Sequence, residues 1–63
     1  MSEPTIIASY ESEILGSGEF WRGPAAEVSK IRNIVARGLA EKVAKDGMPR
    51  TSGMWTVRQE PAP

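Results

Sequence analysis

The strongest structural signal in this 63-residue chain is one segment, residues 24–46, that carries the sequence marks of a helix. Pro24 suits the first helical position, where its missing backbone N–H leaves no hydrogen bond unmade. A glutamate in the first turn and lysines in the last turns have the signs that the helix dipole favours. Gly47 suits the left-handed residue that ends many helices, and Pro49 prevents continuation. These signals predict one helix over residues 24–46.

The predicted helix is amphipathic. At 100° per residue its larger apolar side chains fall within a band of roughly 120°, a width typical of a stripe that faces a core. Gly38 costs about 1 kcal/mol relative to Ala in a helix interior, so it is a candidate for close approach of another backbone. The stripe consists of Val28, Ile31, Val35, Leu39 and Val43.

Short strands are predicted on either side of the helix. Residues 5–10 alternate and are rich in β-branched and aromatic side chains, which favours a strand. The alternative is a helix over residues 4–15, because Ile7, Tyr10 and Ile14 also fit helical spacing. Residues 54–58 form a second predicted strand, and the composition of residues 59–63 indicates a disordered tail.

The predicted fold class is therefore α+β. A chain of this length forms one small domain, residues 1–63, with a central amphipathic helix packed on short N- and C-terminal strands. Its core rarely supplies more than roughly 3–5 kcal/mol, so stabilisation by a second copy or a larger partner is a reasonable expectation.

Charge is distributed unevenly along the chain. All eight basic residues lie between Arg22 and Arg58, whereas the first 21 residues carry four glutamates and no basic residue. The formal net charge of zero conceals this segregation. We expect the acidic N-terminal segment to dock on the basic part of its own chain, and we treat a binding surface for a partner as the second interpretation.

The composition disfavours catalysis. The chain has no His and no Cys, so the commonest general base and the strongest nucleophile are both missing. Ser17 lies outside a nucleophile-elbow pattern, and no phosphate-loop lysine follows the glycines beside it. Glu11 and Glu13 are interpreted as a solvated pair. We expect no enzyme activity, no cofactor and no bound metal.

A non-catalytic protein-interaction module is the function that these observations favour. Such a module would act as an accessory or regulatory protein, as a homo-oligomer or as a subunit of a larger assembly. Aromatic side chains flanked by glycines and basic side chains beside the apolar stripe are the candidate contacts. These residues are Phe20, Trp21, Arg32 and Lys42.

A small nucleic-acid-binding protein is the alternative. Basic and hydroxyl side chains around an aromatic ring are suited to contacting phosphates and stacking on a base. The neutral net charge argues against it, because nucleic-acid-binding domains are normally clearly basic. The candidate contacts are Arg37, Lys45, Arg50, Trp55 and Arg58.

The sequence contains no apolar run long enough for a membrane span or a signal peptide. We therefore expect a soluble cytoplasmic protein without a membrane partner, and the lack of cysteine agrees with that location. Short chains with an acidic-to-basic layout are common among phage and mobile-element accessory proteins, but no motif here secures such an origin.

Overall fold

Two β-hairpins with a helical segment between them make up the fold. The structure is a computed structural model that describes residues 3–61. The four strands form one antiparallel sheet in the order β2-β1-β4-β3, and the predicted α+β class is confirmed. In chain order the elements are strand β1 (Thr5–Ser12), strand β2 (Gly16–Pro24), a 3-10 segment (Ala25–Lys30), helix α1 (Ile34–Asp46), strand β3 (Arg50–Ser52) and strand β4 (Trp55–Glu60).

Strand β1 lies at the centre of the sheet and pairs with β2 on one side and β4 on the other. It is therefore a strand, and the alternative helix over residues 4–15 does not form. Ile6, Ile7 and Ala8 are buried consecutively. Successive side chains of a strand point to opposite faces, so both faces of β1 are shielded from water at this point.

Helix α1 begins at Ile34, ten residues later than the sequence predicted. Pro24, the last residue of β2, instead precedes the 3-10 segment, which begins at Ala25. The chain becomes extended again at residues 31 and 33, and Asn33 then caps the helix. The Asn33 Oδ1 accepts hydrogen bonds from the backbone N–H groups of residues 35 and 36, each at 3.0 Å. This cap satisfies two of the N–H groups that a helix start leaves unpaired.

The end of α1 at Asp46 agrees with the prediction. Gly47 has a φ of +75° and its N–H donates to the Val43 carbonyl at 2.7 Å. A residue with a Cβ is strained in this left-handed conformation, which explains the glycine.

The main core lies between α1 and one face of the sheet. Because α1 begins at Ile34 and not at residue 24, the side chains before and after residue 34 do not follow one continuous helical periodicity. The apolar stripe predicted over residues 24–46 therefore does not lie on one face of one helix. Val35 is 43% exposed, and Ala36 and Ala40 are buried in its stead. These small side chains let the helix lie close to the strands. The buried cluster contains Ile6, Ala8, Val28, Ile31, Ala36, Ala40, Val43 and Val57.

Two strands, β2 and β3, lie outside the strands that the sequence predicted. Strand β2 contains three glycines, which are poor strand formers, and β3 has only three residues. The predicted tail over 59–63 also begins too early, because Gln59 and Glu60 belong to β4 and pair with residues 6 and 5. Residues 62 and 63 of that predicted tail lie outside the described part of the chain.

Candidate interaction surface

The β1–β2 hairpin extends beyond the rest of the sheet. Strand β4 begins at Trp55, which pairs with Tyr10. One residue further along β1, the Glu11 backbone N–H donates a hydrogen bond to the Met54 carbonyl at 2.9 Å. Past this point Ser12 pairs with Gly16 of β2, whereas the register between β1 and β4 ends at Tyr10. We call residues 11–18 the hairpin arm. It accounts for the elongated shape of the molecule, 40 Å by 21 Å by 19 Å.

The tip of the hairpin arm is an ordered turn that displays two apolar side chains. The Ser12 Oγ accepts hydrogen bonds from the backbone N–H groups of Ile14 and Leu15, both at 3.2 Å. Gly16 follows with a φ of +82°, which closes the turn. Ile14 is 92% exposed and Leu15 is 70% exposed. The turn is held by hydrogen bonds and not by burial of these side chains.

An aromatic cluster of Tyr10, Phe20 and Trp55 lies at the base of the arm. Its rings meet edge to face, with centroid distances of 4.8 Å between Phe20 and Trp55 and 6.3 Å between Tyr10 and Trp55. A β-bulge places Phe20 there, because Ala8 pairs with residue 21 and the next residue of β1 pairs with residue 19. The extra residue is turned out of the ladder and stays 44% exposed.

Glycine 18 lets Tyr10 lie across the neighbouring strand. A Cβ at Gly18 would stand 2.9 Å from the Tyr10 hydroxyl and 3.1 Å from its Cζ. The absence of a side chain there is therefore needed for the position of the ring. With no side chain at Gly18, the Tyr10 ring lies against β2, within the aromatic cluster.

Phe20 and Trp21 were both predicted to contact a partner, but their environments differ. Trp21 is partly buried and packs against the core. Its ring lies over Gly23, where a Cβ would come within 2.8 Å of the indole Cη2 and Cζ2 atoms. Trp55 also packs against the core, and its ring meets those of Tyr10 and Phe20 edge to face. Of the predicted pair, Phe20 is the more accessible side chain.

The sheet face opposite α1 is covered by charged side chains. Ile7 lies on this face, paired in register with Arg22 on one side and Arg58 on the other, and is only 2% exposed. Arg22 bridges Glu19 at 2.7 Å and Glu60 at 3.3 Å. The hydrogen bond from Arg22 lowers the pKa of Glu19, and the same bond raises the pKa of Arg22. The aliphatic stems of the arginines thus shield Ile7 while their charged ends stay in water.

Basic side chains gather at the C-terminal end of α1. Lys42, Lys45 and Arg50 line a shallow, open depression together with Asp46. Arg50 donates a hydrogen bond to the Asp46 carboxylate. The pKa of Asp46 is lowered, first by the hydrogen bond from the Met48 backbone N–H and then by Arg50. One of the three basic groups is therefore already paired.

The candidate nucleic-acid contacts do not form one surface. Lys45 and Arg50 are neighbours on the helix side of the sheet, and Trp55 lies on that side as well. Arg58 lies on the opposite face, where it faces Glu60 at 3.9 Å. Arg37 is on α1 and is half-buried. The sheet therefore separates Arg58 from the other four residues.

The two remaining candidate protein contacts, Arg32 and Lys42, are both exposed. Arg32 lies in the extended link before α1, and Lys42 lies on the helix. Neither is close in sequence or register to Phe20. The residues that sequence reasoning missed are Tyr10, Ile14 and Leu15. Gly16 and Gly18 indicate a turn, but no local pattern shows that the apolar pair before them stays exposed.

The chain gave no match in comparisons with models of protein families, with curated proteins and with solved structures. Among residues 3–61 no group of three or more potential metal ligands occurs. Nor does that part of the chain contain a helix with the length and apolarity that crossing a membrane requires. What the fold and surface define is a small α+β domain with a protruding, apolar-tipped hairpin.

Proposed function

We propose that this chain is a non-catalytic protein-interaction module, an accessory or regulatory protein that contacts its partner with the hairpin arm and the aromatic cluster. The observation that carries the proposal is the exposure of Ile14 and Leu15 on an ordered, protruding turn. Full burial of one such side chain is worth roughly 1.5–3 kcal/mol. In the isolated chain these side chains stay in water, so a partner that covers the tip and buries them stabilises the complex by this amount.

The aromatic cluster adds a second element to the same surface. Aromatic residues are enriched in protein interfaces and among the residues that contribute most to binding. Phe20 and Tyr10 stand at the base of the arm, and their edge-to-face contacts with Trp55 fix their orientation. A partner that grips the tip therefore meets prearranged rings beside it, with little further loss of side-chain entropy.

Nucleic-acid binding, the alternative prediction, has less support. Arg50 and Arg58 are engaged by carboxylates and lie on opposite sides of the sheet. The favourable observation is the depression lined by Lys42 and Lys45, whose ammonium groups form no ion pair within residues 3–61. We expect the module to act in the cytoplasm, on the sequence grounds given above.

The test is affinity capture from the native host with matched variants. Leu15→Ser removes an exposed apolar side chain from the arm tip, and Met48→Ser removes one of similar exposure, 62%, from the loop after α1. Neither side chain is buried, so both variants should fold with unchanged circular dichroism. We expect wild type and Met48→Ser to retain the same protein partner, and Leu15→Ser to lose it.

Two results would contradict this proposal. One is that all three proteins retain the same partners in equal amounts. The other is that everything captured disappears after nuclease treatment, which would favour the nucleic-acid alternative. A mobility-shift assay at low salt with Lys42→Glu then measures whether the basic depression is responsible.

A further inference from the structure

Among residues 3–61, the charged side chains without an ion pair are acidic on the hairpin arm and mainly basic on α1, where Glu41 is the acidic exception. Within residues 3–61 the ion pairs involve Glu19, Glu27, Asp46 and Glu60, and none of them joins the hairpin arm to α1. Glu11 and Glu13 on the arm have no basic partner there. The basic side chains without an ion pair in the same part of the chain are Arg32, Arg37, Lys42 and Lys45.

The outer face of α1 carries exposed apolar groups as well as these charges. Ile34 is 72% exposed, and Val35 is exposed beside it. Ile34, Gly38 and Lys42 follow one another at spacings of four residues and so form a row on the helix surface. A Cβ at Gly38 would meet no atom of residues 3–61 within 4 Å, the backbone of its own helix aside. The close approach that the sequence predicted for Gly38 therefore comes from no neighbour within those residues.

The arm and the helix face both place charged groups beside apolar ones. On the arm, Glu11 lies at the end of β1 and Glu13 lies in the tip turn, directly before Ile14 and Leu15. On the helix, Lys42 follows Gly38 by four residues, which is about 6 Å at 1.5 Å per residue. An apolar arm tip seated on Ile34 and Gly38 therefore brings the arm's glutamates near the lysines of α1.

The arm is held away from the helix of its own chain. No Cα of α1 comes within 8 Å of a Cα of β2, the second strand of the hairpin. The tip turn is fixed by Ser12, and the base of the hairpin is fixed by pairing with β4. The predicted docking of the acidic segment on its own basic part is thus not formed by Glu11 or Glu13. Among the four glutamates of the acidic segment, all within residues 3–61, Glu19 alone forms an ion pair, with Arg22 three residues along the same strand.

We propose that the partner of the hairpin arm is a second copy of this chain, and that each copy lays its acidic, apolar-tipped arm across the outer face of α1 of the other. This inference rests on the proposed function and names its partner. A two-fold axis makes the exchange reciprocal, so one dimer contains two identical arm–helix contacts. A chain of this size buries an interface near the lower end of the roughly 1,200–2,000 Å² that specific complexes bury, so the dimer is reversible. Salt weakens it, because ions screen the exposed charges at both contacts.

Charge reversal in two separate variants tests the exchange. The arm variant carries Glu11→Lys and Glu13→Lys, and the helix variant carries Lys42→Glu and Lys45→Glu. Each alone sets like charges against each other across both contacts, so each is monomeric in sedimentation velocity at concentrations where wild type is a dimer. An equimolar mixture of the two restores opposite charges at both contacts and recovers the dimer.

A matched control separates this docking from general attraction between oppositely charged proteins. Lys30→Glu with Ser29→Glu and Thr51→Glu, three exposed positions, has the same net charge as the helix variant but retains both lysines of α1. It dimerises with itself, and its mixture with the arm variant gives at least tenfold weaker association than the charge-swapped pair. Equal association of both mixtures would overturn the proposal.

Gly38→Gln gives a test that unfolding cannot mimic. Gln is a better helix former than Gly, so this variant is at least as stable as wild type. It places a side chain where the arm tip seats and weakens the dimer by tenfold or more. A stable variant with wild-type self-association would remove Gly38 and its row from the interface.

The failure of this inference is distinguishable from the failure of the proposed function. A wild-type chain that stays monomeric up to about millimolar concentration, yet captures a different protein that Leu15→Ser loses, refutes the second copy and leaves the interaction module standing. A monomeric chain whose captured proteins are the same with Leu15→Ser and with Met48→Ser refutes both.

Discussion

Replacing Ile7 by Val tests whether charged side chains can seal a buried site on a sheet face that carries no helix. Ile7 is 2% exposed beneath the stems of Arg22 and Arg58, outside the core that α1 covers. The change removes one methylene. Transfer of a buried CH₂ is worth about 0.8 kcal/mol, and the residual cavity brings the usual Ile-to-Val loss to about 0.5–1.5 kcal/mol. We expect the free energy of unfolding to fall by about 1 kcal/mol.

The measurement is urea denaturation followed by tryptophan fluorescence and circular dichroism. A core of this size supplies roughly 3–5 kcal/mol, so a loss of about 1 kcal/mol is easily resolved. It lowers the midpoint of thermal unfolding by roughly 4–8 °C. Ile6→Val is the matched control, because Ile6 is equally buried but lies under the helix. We expect the two variants to lose similar amounts.

A loss below about 0.2 kcal/mol for Ile7→Val, with about 1 kcal/mol for Ile6→Val, would refute this reasoning. It would mean that water reaches Ile7 between the arginine stems. Arg58→Ala provides an independent check, since it opens one side of the site. Its expected loss exceeds the 0–1 kcal/mol of an exposed ion pair only if the stem itself excludes water.

Three further predictions concern the ends of α1. Asn33→Ala removes the helix cap and lowers the free energy of unfolding by about 1 kcal/mol in urea titrations, whereas Asn33→Asp retains it. Gly47→Ala strains a left-handed residue and lowers the free energy of unfolding by roughly 1–2 kcal/mol. Gly38→Ala, in an open helical position, raises the free energy of unfolding by up to about 1 kcal/mol. Equal effects of the two substitutions would contradict the assigned backbone conformations. The pKa of Asp46 is lowered in the folded chain, chiefly by the Met48 N–H, so its carboxylate stabilises the fold above the unfolded pKa of about 3.9 and this contribution is lost as pH falls through the folded pKa. Asp46→Asn should therefore lose less stability than wild type on acidification below about pH 4, and identical pH profiles would contradict this assignment.

The helix illustrates what a local pattern does and does not contain. Gly47 and Pro49 act through backbone geometry within a few residues, so the end at Asp46 was predictable. Pro24 marks the start of the 3-10 segment and not of the α-helix, because the chain becomes extended again at Ile31. Asn33, a preferred cap residue, was the correct signal, and the earlier proline hid it.

Strand β2 could not be predicted from its own residues. Its glycines disfavour a strand, and it forms because β1 offers a row of backbone partners over its whole length. Gly18 accommodates the ring of Tyr10, a contact that exists only after β1 and β2 pair, whereas Gly23 accommodates the ring of Trp21 on its own strand. The bulge that exposes Phe20 also arises from this pairing and has no local signature.

The candidate surface divides in the same way. Phe20 was identifiable as an aromatic residue between glycines, but its separation from Trp21 depends on the bulge. Ile14 and Leu15 are apolar, and the neighbouring residues in the sequence do not indicate that they lie beyond the edge of β4 and remain exposed to water. The grouping of Lys45 with Arg50, and the removal of Arg58 to the other face, follow from strand alternation once the register is known.

By itself the sequence determined the α+β class, the strand at each end, the end of α1, and the segregation of acidic from basic residues. These depend on backbone propensities and on charges that act over a few residues. Tertiary structure alone decided the register and bulge of β2, the phase of the helix and the burial of Ile7 under paired charges. It also decided that the acidic hairpin arm stands away from its own helix. Each of these results from contacts between residues far apart in the chain, whose free energy exists only when the sheet has formed.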